Sequence, residues 1–236
     1  MTDFTKALAT LFVKSNKISK KSSAPSLESQ DFEWITQHSG IPWLKLSVQI
    51  PYEDILREIK NNVEFLVEHR DDYGEHEGWK SFCIHGKTLH TTQHCTDDRP
   101  FVWIPEVVEQ MPVTVNYFKS WNLDFNRLRV MALEPGGFIS VHRDEKTPFL
   151  GPINIALTQP VGCDFVMEGW GAVPFTAGDA FMLDISNLHA VVNNSNETRY
   201  HIIAHYNNSQ STEFRKMVEE SYHQQCSSAP GGQLYP

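Results

Sequence analysis

Between Arg127 and Tyr206 the chain breaks into eight short, apolar-rich segments: 127–134, 138–144, 153–158, 163–168, 172–175, 179–184, 188–193 and 199–206. The punctuation between them is chemical. Pro135-Gly136-Gly137, Leu150-Gly151-Pro152, Val161-Gly162 and Ala177-Gly178-Asp179 supply the fixed or permissive backbone angles at which a strand stops and turns. Eight strands this short must share one core, and the pattern predicts a mainly β fold, a double-stranded β-helix or jelly roll.

What surrounds the strands reads as helical cover. Leu44, Leu46, Val48 and Ile50 alternate and predict a strand, and Pro51 then opens a helix to about Arg70 with Ile55, Ile59, Val63 and Leu66 at helical spacing. Trp79 to His85 predicts another strand, residues 86–100 a loop, and 105–110 and 112–121 two helical pieces with proline near each start. A last helix is expected from Thr212 to Tyr222. With 236 residues, the expected organisation is an N-terminal helix and Ser/Lys-rich mobile linker over 1–30, the jelly-roll domain over 31–210, and a C-terminal helix and tail over 211–236.

Composition excludes some classes of function. A formal charge of -9 argues against a general nucleic-acid surface, and no apolar run approaches the ~18 residues of a membrane span. Asp3 before the short apolar patch Ala7–Val13, and lysines after it, are the wrong order for a secretory signal. Four cysteines at 83, 95, 163 and 226, with no Cys-x-x-Cys, fit reduced thiols in a cytoplasmic protein.

Within the strands, His142 and Asp144 are two apart, so a strand aims both at one point, and His189 can complete a two-histidine, one-carboxylate set suited to non-haem Fe(II). Each histidine singly reads as an ordinary solvated or core residue; the joint placement, after a turn and across several short strands, reads as a metal site inside a barrel. Ser140 shares the parity of His142, and Arg199 shares that of His201, Ile203 and His205. An inward Arg199, ten places after His189, offers a fork for a carboxylate; the other reading is an internal ion pair to Asp164, Asp179 or Asp184. His90-x-x-x-His94-Cys95 invites a second metal, but the surrounding Thr, Gly and Asp favour a loop over the helix that spacing needs.

From about Trp79 to Tyr206 the chain resembles the aspartyl/asparaginyl β-hydroxylase family of Fe(II)- and 2-oxoglutarate-dependent dioxygenases, which also includes small bacterial proline hydroxylases. The matching text is Gly78-Trp79-Lys80, Arg129 to Gly136 leading into Val141-His142-Arg143-Asp144, Gly178-Asp179-Ala180-Phe181, His189 and Arg199-Tyr200-His201. The resemblance implies a cupin-like jelly roll in which His142, Asp144 and His189 hold Fe(II) and Arg199 grips the distal carboxylate of 2-oxoglutarate, with His201, Asn154 and Ser140 around the co-substrate. It further implies that O2 and 2-oxoglutarate are consumed, succinate and CO2 released, and an unactivated C–H bond of an amino acid or peptidyl side chain hydroxylated. Many members carry Arg-x-His on the strand after the metal loop; here Pro152-Ile153-Asn154 stands there, so the charged partner is missing.

Arg129 reads either as a substrate contact or as half of a surface ion pair, and Trp79 and Trp170 either as mouth residues or as core. His90 and His94 lie in the loop that the resemblance places at the mouth, where they would meet substrate. Two other classes fit the same residues. A cupin-like metal isomerase, or a dioxygenase without an oxo-acid, would not need Arg199; a non-catalytic jelly-roll binding module would not hold metal at the three ligands.

Overall fold

The computed structural model describes residues 31–69, 76–90, 98–207 and 211–228. The expected N-terminal helix and linker, the tail after 228, and His94 with Cys95 lie outside the described residues. Helix α1 (Phe32–His38) starts where the Asp31 carboxylate accepts the Trp34 N–H at 2.9 Å. There follow β1 (Trp43–Lys45), α2 (Tyr52–Lys60), β2 (Val67–Glu68), β3 (His76–Gly86), β4 (Val102–Trp103), α3 (Pro105–Gln110) and α4 (Pro112–Ser120). The last part comprises β5 (Phe125–His142), β6 (Leu150–Ala156), β7 (Cys163–Met167), β8 (Gly171–Ala172), β9 (Ala180–Asp184), β10 (His189–Asn193), β11 (Arg199–Tyr206) and α5 (Thr212–Ser228).

The fold is the mainly β jelly roll that the strand pattern predicts. Every strand pairing is antiparallel, and the main order is β1-β9-β6-β11-β5-β10-β7-β8, with β3 added beside β5. Its hinge is β5. The expected strands 127–134 and 138–144 are one continuous strand of 18 residues, whose first part pairs with β11 (Leu133↔Arg199) and whose last part pairs with β10 (Phe138↔Val192, His142↔His189). The corner falls at Pro135-Gly136-Gly137. Gly136 has φ 78°, and a Cβ on Gly137 would stand 2.7 Å from the Glu77 carbonyl oxygen, so the turn needs both glycines.

Three expected elements differ in length. The strand at 44–50 stops after Lys45, because Leu46 makes the last sheet contact, to the Ala180 carbonyl, and the Ser47 N–H is taken by the Ser221 hydroxyl of α5. The helix expected to reach Arg70 ends at Lys60: Asn62 turns its amide back onto the Glu58 carbonyl, a 3-10 turn follows over Val63–Phe65, and Val67 pairs with Ser81 of β3. Helix α5 runs to Ser228, past the expected Tyr222, with Phe214, Val218 and Tyr222 buried against the sheet. Both β9 and β10 are buried along their full length. Among the described residues no helix is long and apolar enough to cross a membrane.

Candidate metal centre

The register His142↔His189 puts the two histidines directly across from each other, where β5 ends and β10 begins, with ring centroids 4.3 Å apart. Asp144 joins them from a different direction than strand parity predicts. β5 stops at His142, and Asp144 lies in the following loop, anchored by its N–H to the Ile185 carbonyl at 3.1 Å. Its Oδ2 is 3.7 Å from Nε2 of His142 and 3.6 Å from Nε2 of His189.

The remaining nitrogens decide which atoms face the centre. Nδ1 of His142 bonds the Ser140 carbonyl at 2.7 Å, and Nδ1 of His189 bonds the Asn187 carbonyl at 2.9 Å. A carbonyl only accepts, so each Nδ1 carries the proton and each Nε2 turns a lone pair toward Asp144. Three ligand atoms within 4.8 Å of one another form the single such His/Cys/Asp/Glu group among the described residues. Burial would raise the Asp144 pKa, but when His142 and His189 are protonated at Nε2 as well they face it as donors and charges, outweigh burial and hold the carboxyl well below the usual range. The donor set, two imidazoles and one carboxylate with a half-exposed open side, fits Fe(II), which these three residues would hold with room for other ligands.

The triad opens on a cavity of about 490 Å³. Arg129, Asn154 and Ile203 line one wall, and Phe165, Val191 and Ile139 line the side below the histidines. Trp79 lines it too, its ring tilted 38° against His69 at 3.9 Å and edge-on to His76 at 5.0 Å, which makes Trp79 a wall residue as well as a packing one. His205, which shares the parity of Arg199, also lines the cavity, and so do His69, His76, Arg127 and Tyr206, for which the sequence offers no site signal. For His69 the sequence carried no signal, since it falls in the stretch that reads as helix. Tyr206 has a buried hydroxyl with no hydrogen-bond partner among the described residues.

Other expected residues are placed elsewhere. The register shift in β5 between the partners of His189 and Val191 breaks the parity argument: Ile139 lines the cavity and Ser140 does not, contributing its carbonyl to His142 instead of a hydroxyl to the cavity. His90 is exposed and reaches the Phe65 carbonyl at 3.1 Å, outside the cavity wall. Trp170 packs against the core.

Arg199 and His201 are buried beneath the cavity and do not line it. A chain of ring contacts links them to the triad: His189 stacks on Phe165 at 5.2 Å, Phe165 meets Phe175 at 6.2 Å, and Phe175 lies 4.8 Å from His201 and 5.9 Å from the Arg199 guanidinium. Arg199 Nη2 lies 2.8 Å from His201 Nδ1, while its Nε has no partner among the described residues. The expected alternatives for its charge are engaged elsewhere in two cases: Asp179 pairs with Lys45 at 2.6 Å, and Asp184 accepts from Ser186 and Phe149. Burial lowers the Arg199 pKa to about 10, partly opposed by the neighbouring Cys163 thiol, which burial raises to about 11. A buried cation with no carboxylate paired to it among the described residues is the expected companion of an anionic ligand.

The model of the aspartyl/asparaginyl β-hydroxylase family matches residues 50–208. No curated protein matches the chain. Among solved structures, a Trichoplax adhaerens prolyl hydroxylase in complex with a hypoxia-inducible factor peptide is 14% identical, covers 87% of this chain and 94% of its own, and superposes with a TM-score of 0.46. A Pseudomonas putida prolyl-4-hydroxylase is 14% identical over 75% of this chain and 96% of its own, TM-score 0.45. A 2-oxoglutarate-Fe(II) oxygenase family oxidoreductase from Burkholderia pseudomallei is 14% identical over 57% and 71%, TM-score 0.39.

Proposed function

The chain belongs to the aspartyl/asparaginyl β-hydroxylase family, and from that membership we propose that it hydroxylates an unactivated C–H bond of a free amino acid or of an exposed peptide side chain. It is an Fe(II)- and 2-oxoglutarate-dependent dioxygenase. When bound, iron, 2-oxoglutarate and dioxygen supply the oxidising power for such a step, with succinate and CO2 as the co-products.

The protein's part in this reading is binding and orientation. His142, Asp144 and His189 hold the metal through one atom each, and the Ser140 and Asn187 carbonyls fix the tautomer and tilt of both imidazoles. Arg199, a buried guanidinium with an unmatched N–H, takes the distal carboxylate of the co-substrate. Trp79, His69 and His76 form an aromatic side of the cavity against which a substrate side chain rests. The half-exposed Asp144 leaves the metal position reachable from solvent, which suits a small substrate or a peptide segment laid across the mouth.

One observation carries the reading: two histidines and a carboxylate from three separate backbone positions bring their ligand atoms within 4.8 Å of one another. The test is succinate formation by Fe(II)-loaded protein given 2-oxoglutarate and oxygen, beside His142→Ala. Succinate from the wild type and none from the variant is the expected result. Equal succinate from both, or no binding of 2-oxoglutarate by the metal-loaded wild type, would overturn the reading.

A further inference from the structure

A dicarboxylate co-substrate has two ends to hold, and the structure offers two buried arginines at different depths. Arg129 is 7% exposed and lines the cavity; Arg199 is 5% exposed and lies beneath it. On three adjacent strands the register aligns Arg129 with Ile203 and Ile203 with Asn154. Residues directly opposite in a sheet share a face, so the guanidinium of β5 and the amide of β6 belong to one wall, the wall of the cavity that the triad lines.

Arg199 is four residues from Ile203 along β11, roughly 13 Å of strand. That separation suits two ends of one dicarboxylate better than two grips on a single carboxylate. The other arginines in the lining are less suited: Arg127 is only half-buried and Arg143 is exposed, so water competes for both. Arg129 has a planar fork of donors that a carboxylate matches in two bonds, and Asn154 adds an amide donor.

Resting on the dioxygenase reading above, we propose that Arg129, assisted by Asn154, binds the carboxylate that adjoins the oxo group of the co-substrate, the end nearer the metal. Arg129 thereby supplies, from β5, the positive charge that Pro152-Ile153-Asn154 of β6 does not provide. Arg199 holds the far end. Tyr206, which lines the same cavity and whose buried hydroxyl has no hydrogen-bond partner among the described residues, is a further donor for the ligand.

The experiment is an anaerobic titration of Fe(II)-loaded protein with 2-oxoglutarate and, separately, with 2-oxopentanoate, which keeps the oxo-acid end and ends in a methyl group. Binding is read from the visible charge-transfer absorbance of the iron chelate and, independently, from ligand-induced change in tryptophan fluorescence. Arg129→Met should weaken both ligands by the same factor, about 10- to 100-fold, and move the absorbance maximum. Arg129→Lys, which keeps the charge but not the fork, should lose less affinity while still shifting the band. Arg199→Met should weaken 2-oxoglutarate and leave 2-oxopentanoate unaffected. Melting temperature and Fe(II) affinity of each variant report whether the fold and triad are intact, and Arg129→Lys carries the test if the Met variant does not fold.

Unchanged binding of both ligands by the Arg129 variants would overturn the proposal, as would loss confined to 2-oxoglutarate, which would put Arg129 at the far end. A wild type that binds metal but neither oxo acid is a different result: it would remove the dioxygenase reading and this proposal with it.

Discussion

His142 and His189 can act as ligands because half of each ring is already committed. With Nδ1 bonded to a backbone carbonyl two residues earlier in both cases, only Nε2 is left to face Asp144. No sequence pattern announces those carbonyl bonds. The spacing leads one to expect that His142, Asp144 and His189 converge, as they do, but not how, since Asp144 comes from a loop and a bulge sets Ile139, not Ser140, on the cavity. The buried Arg199 carries a second consequence at this scale. Without an anion it destabilises the empty protein, so Arg199→Met should raise the stability of the apo form by ~1–2 kcal/mol, a shift of roughly 2–8 °C in melting temperature for a chain this size, while weakening 2-oxoglutarate binding. Thermal melts with and without co-substrate check this; a less stable apo variant would contradict it. His201 titrates in the opposite sense to a salt-bridged histidine. Burial, then the adjacent Arg199 charge, depress its pKa, so below pH ~6.5 the unfolded chain binds a proton that the folded chain refuses. Stability should therefore fall as pH drops from ~6.5, by up to ~1.4 kcal/mol per pH unit for this one group, and His201→Asn should flatten that slope in denaturant titrations.

The strands carry these residues only because β5 turns a corner. Its first part builds the wall with Arg129 and its last part delivers His142 to β10, so one strand sets the distance between co-substrate wall and metal. Two adjacent glycines at the bend should respond very differently to alanine. A Cβ at Gly136 meets nothing within 4 Å and faces only the left-handed backbone penalty of ~1–2 kcal/mol. At Gly137 it would stand 2.7 Å from the Glu77 carbonyl and 2.9 Å from that of Glu134, both backbone atoms that cannot swing aside. Gly137→Ala should cost ~3 kcal/mol or more and lower metal affinity by shifting His142 against His189; denaturant unfolding with metal titration separates the two glycines. Pro135-Gly136-Gly137 was legible as a turn, but whether it separates two strands or bends one depends on the partners β3, β10 and β11, all remote in sequence. The same dependence explains α2, whose apolar spacing runs on through Val63 and Leu66 although the helix ends at Lys60, ahead of the pairing of Val67 with Ser81. Where the local pattern and the long-range pairing agree, as in β9 and β11, the expected boundaries lie within a residue of the observed ones.

At the scale of the whole molecule, the triad joins three parts of the chain at one end of the sheet. His142 closes β5, Asp144 belongs to the loop after it, and His189 opens β10, so a metal bound there fastens the end of one strand, a loop and the start of another at a single point. Binding to the folded state alone stabilises by the ratio of ligand concentration to dissociation constant, ~2.7 kcal/mol at a hundredfold excess over the dissociation constant. For a chain of this length that corresponds to a rise in melting temperature of roughly 5–10 °C on adding Fe(II) anaerobically, or Mn(II) as a redox-inert substitute. Co-substrate adds a second increment only if the metal is present, because chelation at the metal supplies much of its binding and the arginines supply the rest. His142→Ala should abolish both increments, whereas Arg129→Met and Arg199→Met should keep the metal increment and lose most of the second. Differential scanning fluorimetry across those four proteins, with metal and 2-oxoglutarate added singly and together, checks the whole scheme. A co-substrate increment that persists without metal would mean that the arginines form an anion site of their own, and the cavity would then have to be read as a carboxylate-binding pocket beside the metal centre, not as part of it.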